Sequence, residues 1–195
     1  MHNVEEMPSR IVAYLSKVEP AWKNVEVTSY QVMTGGYSRL LARAEVRHAD
    51  GTEVLVLRGD PPKDRQLIET SRRQEYELLR VVGDHGVRTP RALHFDESGE
   101  HLGTPTIILE FSKCQSFMPY VAAGGSLDGL NIRLAEAIAS YQAIPLDKLP
   151  ASIERPASWD SYMTKRIDGW RQARDLKSTR LNSSHVSESR MPSSA

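Results

Sequence analysis

Two short segments of this 195-residue chain carry the residue types that bind a phosphate chain. Gly35-Gly36-Tyr37-Ser38 interrupts an extended pattern, and Arg58 ends the apolar run Val54-Leu55-Val56-Leu57. Glycines let a backbone approach a ligand closely and expose its N–H groups, and a cation on the next strand would complete an anion-binding cradle. The alternative interpretation of the glycines is an ordinary hairpin turn, which favours the same residues.

Glu75 is the second candidate for this site. The residues around it have helical periodicity, with an apolar stripe formed by Leu78, Leu79 and Val82. Glu75 precedes these residues by three, four and seven positions, so it is expected to point toward the same buried face. Because an unpaired buried charge is costly, we expect Glu75 to form an ion pair with Arg58 on the neighbouring strand. If Glu75 lies at the edge of that face instead, it reaches water and needs no partner.

Strands and helices with recognisable ends must position these residues. β-branched and aromatic runs predict strands at residues 25–33, 40–46, 52–58, 91–95 and 106–111, and Asp50-Gly51 predicts a hairpin. Ser71 and Gln74 have capping-box spacing at the start of the helix that carries Glu75, and Gly83 and Gly86 mark its end. Apolar periodicity predicts further helices at 8–18, 130–144 and 159–175, with residues 113–129 as a flexible connection.

The order of these features resembles the small lobe of the protein-kinase-like fold, in the version used by the aminoglycoside phosphotransferase and choline kinase families. The similarity is greatest to bacterial phosphotransferase-family proteins, on Gly35-Gly36-Tyr37-Ser38, Val56-Leu57-Arg58 and Pro61-Pro62. It spans residues 25–174, and the strand ending in Leu109-Glu110-Phe111 belongs to it. One departure is Tyr141-Gln142, where the family usually has a Leu-His pair.

The resemblance implies an α+β fold with three parts. Residues 1–112 would be the nucleotide-binding small lobe, a five-stranded antiparallel sheet plus a helix. Residues 113–175 would contain the hinge, the linker and the first helices of a truncated large lobe. Residues 176–195 include seven serines and have no apolar periodicity, and they also resemble translated sequencing-adapter read-through. They are predicted to be a disordered, extraneous tail, and the natural gene is expected to continue past about Asp175.

The resemblance also implies an ATP site. The phosphates would lie against the glycine turn and Arg58, with Arg58 in a place usually held by lysine and Glu75 as its partner. Adenine would bind backbone groups of Glu110 and Ser112, with Leu109 lining the back of the pocket. The alternative is that this stretch is an edge of the sheet followed by a loop. The implied nucleotide-binding residues are therefore Gly35, Gly36, Tyr37, Ser38, Arg58, Glu75, Leu109, Glu110 and Ser112.

The chain lacks the catalytic segment that the resemblance would require. In the family this segment is His-Gly-Asp, followed after four residues by Asn. The segment orients the acceptor hydroxyl and binds Mg²⁺. The lookalikes His48-Ala49-Asp50 and His94-Phe95-Asp96 are followed at that spacing by Leu55 and His101, so no catalytic or metal-binding residue is predicted. The chain alone is therefore expected to be an inactive portion of a small-molecule phosphotransferase. The alternative is a non-catalytic kinase-like module for nucleotide or protein binding.

Composition limits the partners and the setting. The formal net charge of +0 argues against nucleic acid or an anionic membrane surface as the main partner. Cys114 is the only cysteine, which excludes a disulfide framework and fits a reducing, cytoplasmic setting. The intact parent would use ATP with Mg²⁺ and a small hydroxyl acceptor that this sequence does not identify.

Basic residues cluster between positions 63 and 80, and acidic residues are interspersed among them. A solvated helix face is therefore predicted for Lys63, Arg65, Arg72, Arg73 and Arg80.

Overall fold

Alternating apolar residues build a five-stranded antiparallel sheet in the order β1-β2-β3-β5-β4. The structure, a computed structural model, describes residues 5–33, 40–60, 71–114 and 117–186. The strands are β1 (Glu26–Val32), β2 (Leu40–His48), β3 (Gly51–Gly59), β4 (Ala92–Asp96) and β5 (Thr106–Glu110). Each strand ends within two residues of its predicted position. The predicted α+β fold is confirmed, and β3, the strand that carries Arg58, is the central one.

Five α-helices accompany the sheet among the described residues. They are α1 (Met7–Val18), α2 (Arg72–Asp84), α3 (Phe117–Ala122), α4 (Leu130–Gln142) and α5 (Trp159–Val186), with a short 3-10 helix at Leu146–Lys148. The chain divides into two compact units, Met1–Ile153 and Glu154–Ala195, so that α5 alone belongs to the second.

Two predicted boundaries are wrong. Part of the expected flexible connection forms α3, in which Pro119 lies in the first turn, where its missing N–H breaks no helical hydrogen bond. The last helix continues to Val186, so residues 176–186 are helical rather than disordered. This stretch contains no proline or glycine, and its serine content alone does not end a helix. The interpretation of residues 176–195 as extraneous stays a prediction.

The main core lies between α1 and one face of the sheet. Ile11 and Leu15 of α1 are fully buried against alternate residues of the central strands. Because side chains of a strand alternate between its faces, these core residues define the face that α1 covers. The buried members of this cluster are Met7, Ile11, Tyr14, Leu15, Ala42, Ala44, Val46, Leu55, Leu57, Leu102 and Ile108.

The ends of α2 are fixed by local hydrogen bonds. The Ser71 side chain accepts a hydrogen bond from the Gln74 N–H at 3.3 Å, which confirms the predicted N-terminal cap. Gly86 follows the helix with φ +76 and donates to the Gly83 carbonyl at 2.9 Å, as in a Schellman ending. The cap places Glu75 in the first turn of α2, close to the sheet.

The outer strands of the sheet are irregular. β1 shifts register against β2 between Val27 and Ser29, and β4 shifts against β5 between Ala92 and His94. The central pairs, in contrast, keep a continuous register over β2, β3 and β5. The sheet is therefore regular at its centre and interrupted at both edges.

The apolar residues of α4 are not covered. No residue of this helix is buried, and Ile132 and Ile138 are 59% and 49% exposed. The next apolar residue, Ile144, is buried and packs with Val82 and Val87 at the end of α2. In the second unit, Trp159 and Trp170 of α5 are also exposed. The predicted amphipathic pattern of α4 is present in the sequence, but its apolar side faces solvent.

Candidate functional site

The ion pair predicted between β3 and α2 is confirmed. Arg58 Nε lies 2.8 Å from Glu75 Oε1, and both side chains are only partly exposed. Leu55 and Leu57 of the same strand face the core beneath α1, so Arg58, one position further, points to the opposite face. α2 supplies Glu75 on that face. The two elements are thus joined by opposite charges, as predicted from the helical spacing of Glu75 and the cost of an unpaired buried charge.

A second arginine completes this site and was not predicted. Arg72 is only 3% exposed, which corrects its assignment to a solvated helix face. Its Nε lies 2.6 Å from Asp60 Oδ1, and its Nη1 contacts Glu75 Oε2. Two cations and two carboxylates therefore meet at the end of β3. We call Arg58, Asp60, Arg72 and Glu75 the charge cluster.

Backbone contacts anchor the charge cluster to the sheet. The Asp60 N–H donates to the Pro105 carbonyl at 3.3 Å, and the Thr104 hydroxyl donates to the Asp60 carbonyl at 3.2 Å. Asp60 directly follows β3, and Pro105 directly precedes β5. The backbone of Asp60, whose carboxylate contacts Arg72, is therefore hydrogen-bonded to the segment that precedes β5.

The register places two further residues on the face of Arg58. Val56 lies two positions before Arg58, and Leu109 of β5 is its partner across the strands. Paired residues on adjacent antiparallel strands project to the same side of a sheet. Leu109 is 6% exposed. Arg58, Val56 and Leu109 therefore lie on one face of the sheet, with the cation at one end, the partly exposed Val56 beside it and Leu109 buried.

Arg43 extends this face toward the end of β5. It pairs with Val56 across β2 and β3, and its guanidinium carbon lies 5.3 Å from the centre of the Phe111 ring. Its Nη2 is 2.6 Å from Glu45 Oε1. Arg43 could not be predicted from the sequence, because a cation on one strand and an aromatic residue after another strand are related only through the sheet register.

The other predicted site residues have mixed outcomes. Gly35-Gly36-Tyr37-Ser38 and Pro61-Pro62 lie outside the described residues. The Glu110 N–H already donates to the Arg91 carbonyl at 2.9 Å, and the Ser112 carbonyl accepts from the Cys114 N–H at 2.9 Å. These two groups are engaged within the chain, so a base would need the remaining backbone groups of Glu110 and Ser112. Their role in binding stays a prediction.

Asp96, one of the two catalytic lookalikes, has a structural environment. It is buried and accepts hydrogen bonds from the backbone N–H groups of His101 and Leu102 at 3.0 and 2.7 Å. Nearby, burial raises the pKa of Tyr14 to about 12, with a smaller contribution from the negative charge of Asp96. The carboxylate thus closes the turn between β4 and β5. The other lookalike, Asp50, lies in the β2–β3 turn.

Neither a metal centre nor a membrane span was found in the described parts of the chain. Within residues 5–33, 40–60, 71–114 and 117–186, no three His, Cys, Asp or Glu side chains are grouped to hold a metal ion. Within the same ranges no helix has the length and apolar content to cross a bilayer. An open groove of about 620 Å³ lies between α2 and residues 150–152, lined by Arg73, Tyr76 and Arg80 among others. It contains none of the predicted site residues.

Comparison with known proteins identifies the family. No curated protein matches the chain. A family profile, described as the phosphotransferase enzyme family, matches residues 17–185. This range includes all five strands and the charge cluster, and it extends beyond the residues 25–174 over which the resemblance was recognised. The chain therefore belongs to the phosphotransferase enzyme family, with the α+β architecture of a protein-kinase-like small lobe.

Proposed function

We propose that this chain is the ATP-binding portion of a small-molecule phosphotransferase and that Arg58 contacts the nucleotide phosphates. The observation that carries the proposal is the ion pair between Arg58 on the central strand and Glu75 on α2. An arginine held by a carboxylate has a fixed orientation, and its forked donors match phosphate oxygens. Family membership supports the reaction class, transfer of a phosphoryl group.

The residues present fit a nucleotide better than a protein-held Mg²⁺. Beside Arg58, the partly exposed side chain of Val56 would contact the base, with the buried Leu109 behind it. The glycine turn, Gly35-Gly36-Tyr37-Ser38, would supply backbone N–H groups to the phosphates. In contrast, the sequence has no His-Gly-Asp segment with the family's Asn for magnesium, and the described residues offer no cluster of metal ligands.

The proposal includes the absence of the catalytic loop. The sequence contains no His-Gly-Asp segment followed after four residues by Asn. The uncovered apolar residues of α4 support a large lobe that is only partly present, because such a helix normally packs on further elements. The chain would then bind ATP from one side and would leave the choice of hydroxyl acceptor to the remainder of the lobe. A cytoplasmic location is proposed on the single cysteine, Cys114.

Calorimetric titration of the full chain with ATP tests the binding claim. We expect saturable binding that Arg58→Met weakens about tenfold or more, since a hydrogen bond to a charged group contributes about 1.5–3 kcal/mol. The matched control is Arg73→Met, the same chemical change on an arginine that is exposed and paired with Glu97. This variant should bind ATP as the unmodified chain does. Absence of saturable ATP binding would favour the alternative of a protein-binding module.

A single-turnover assay tests the claim about catalysis. Labelled ATP and a panel of hydroxyl acceptors should give no transfer above the background without protein, because positioning and charge stabilisation supply most of the acceleration in phosphoryl transfer. Transfer that disappears in Arg58→Ala would contradict the proposal. It would place a catalytic carboxylate among the residues assigned here to turns and caps.

A further inference from the structure

We propose that Arg72 is a positioning residue, which acts with Asp60 to hold Glu75 in the orientation that presents Arg58 to a phosphate. The phosphate contact rests on the proposed function, whereas the effect on Arg58 itself does not. The predicted Arg58–Glu75 pair needs only two residues. The structure surrounds it with two more, and the added arginine is the most deeply buried charge of the cluster.

Burial fixes the guanidinium of Arg72. A charge removed from water is tolerated when it is paired and costs several kcal/mol when a partner is lost. Arg72 is 3% exposed and lies between the carboxylates of Asp60 and Glu75. Moving it away from either carboxylate would leave a buried charge with less compensation. The fixed position of Arg72 therefore restricts where the carboxylates of Asp60 and Glu75 can lie.

Asp60 is anchored through its backbone, so its carboxylate gives Arg72 a fixed partner. Its backbone is hydrogen-bonded to Pro105 and Thr104, which precede β5. The order of contacts runs from this connection through Asp60 and Arg72 to Glu75, and from Glu75 to Arg58 on β3. Glu75 of α2 is thus linked to the sheet by two routes, one through Arg58 and one through Arg72 and Asp60.

The two carboxylate oxygens of Glu75 contact different arginines, which explains why the second arginine matters. Oε1 is on Arg58 Nε, and Oε2 is on Arg72 Nη1. Without Arg72, both oxygens could turn to the forked guanidinium of Arg58 and form a bidentate pair. Such a pair would withdraw donors of Arg58 from a ligand. A lysine at position 58 would present no fork, so this competition arises because the strand ends in arginine.

Ligand binding by the full chain gives the first test, with Arg72→Met as the perturbation and Arg73→Met as the control. We expect Arg72→Met to raise the Kd for ATP about tenfold and to leave the Kd for adenosine unchanged, because only the phosphate contact depends on Arg58. Asp60→Asn should change the ATP affinity in the same direction by less. General damage to the fold would weaken ATP and adenosine by the same factor, and that result would overturn the proposal.

A spectroscopic readout decides the proposal independently of ATP binding. In a ¹⁵N-arginine-labelled chain, the Nε–H signal of Arg58 can be assigned by its loss in Arg58→Lys. Arg72→Met should shift this signal and slow its exchange with water about tenfold, since exchange would then require opening of a bidentate pair with Glu75. Arg73→Met should leave it in place. If Arg72→Met does not fold, Asp60→Asn is read in the same way. An unchanged Arg58 signal overturns the positioning role, whereas failure of the unmodified chain to bind ATP overturns only the proposed function.

Discussion

Replacement of Glu75 by glutamine should destabilise the chain far more than an exposed charge change. The substitution preserves side-chain shape and removes one of the two carboxylates that face Arg58 and Arg72. Loss of one partner from a buried ion pair costs about 3–5 kcal/mol. We expect the lower end, about 3 kcal/mol, because Arg72 keeps Asp60 and the Glu75 side chain is 21% exposed. At about 2–4 °C per kcal/mol for a chain of this size, the melting temperature should fall by about 6–12 °C.

Urea unfolding followed by far-UV circular dichroism measures this difference. The matched control is Glu97→Gln, whose partner is Arg73 and whose side chain is 53% exposed. An exposed pair of this kind contributes about 0.2–1 kcal/mol, so the control should change the free energy of unfolding by no more than that. Equal losses in Glu75→Gln and Glu97→Gln would refute the reasoning. They would mean that the charge cluster is solvated in solution and does not bind α2 to β3.

Three further outcomes follow from other features. Because the pKa of Tyr14 is about 12 in the folded state and about 10 when unfolded, stability should be intact below pH 10 and fall between pH 10 and 12. Urea midpoints should show less of this fall in Tyr14→Phe. Gly99→Ala should lower the free energy of unfolding by about 2 kcal/mol or more, since Gly99 has φ +70 and an added Cβ would lie 2.4 Å from the Thr104 backbone; Gly51→Ala, in open space, should change it little. Deletion of residues 176–195 should leave the melting temperature unchanged in a calorimetric scan, because both apolar clusters lie within residues 7–149.

The Arg58–Glu75 pair could be predicted because local patterns identify both residues. Helical spacing placed Glu75 on the side of Leu78, and Arg58 was the available cation at the end of a neighbouring apolar strand. Each pattern needs only a few neighbouring residues, and the requirement that a buried charge be paired then joins them. The same local signals gave the strand ends and the Ser71 cap of α2.

Arg72 and Asp60 could not be predicted in this way. Arg72 precedes Glu75 by three residues, a spacing that does place the two on one side of a helix, yet the acidic residues interspersed among its basic neighbours suggested a solvated face. Its burial depends on Asp60, which reaches it from the end of another element. That contact is tertiary, and composition carries no trace of it. The exposure of α4 was expected only because the large lobe is proposed to be truncated, since the apolar period shows which side of a helix would be covered and not whether other elements cover it.

The interrupted outer strands have a consequence for how copies of this chain would associate. A flat, regular edge strand is a template for cross-β growth, and bulges at an edge oppose it. β1 and β4 both carry such irregularities. The uncovered residues Ile132 and Ile138 of α4 offer a different contact, through helix faces. Copies of the chain should therefore associate as folded units instead of fibrils. The associated form should dissociate on dilution, retain its helical content and bind little thioflavin T.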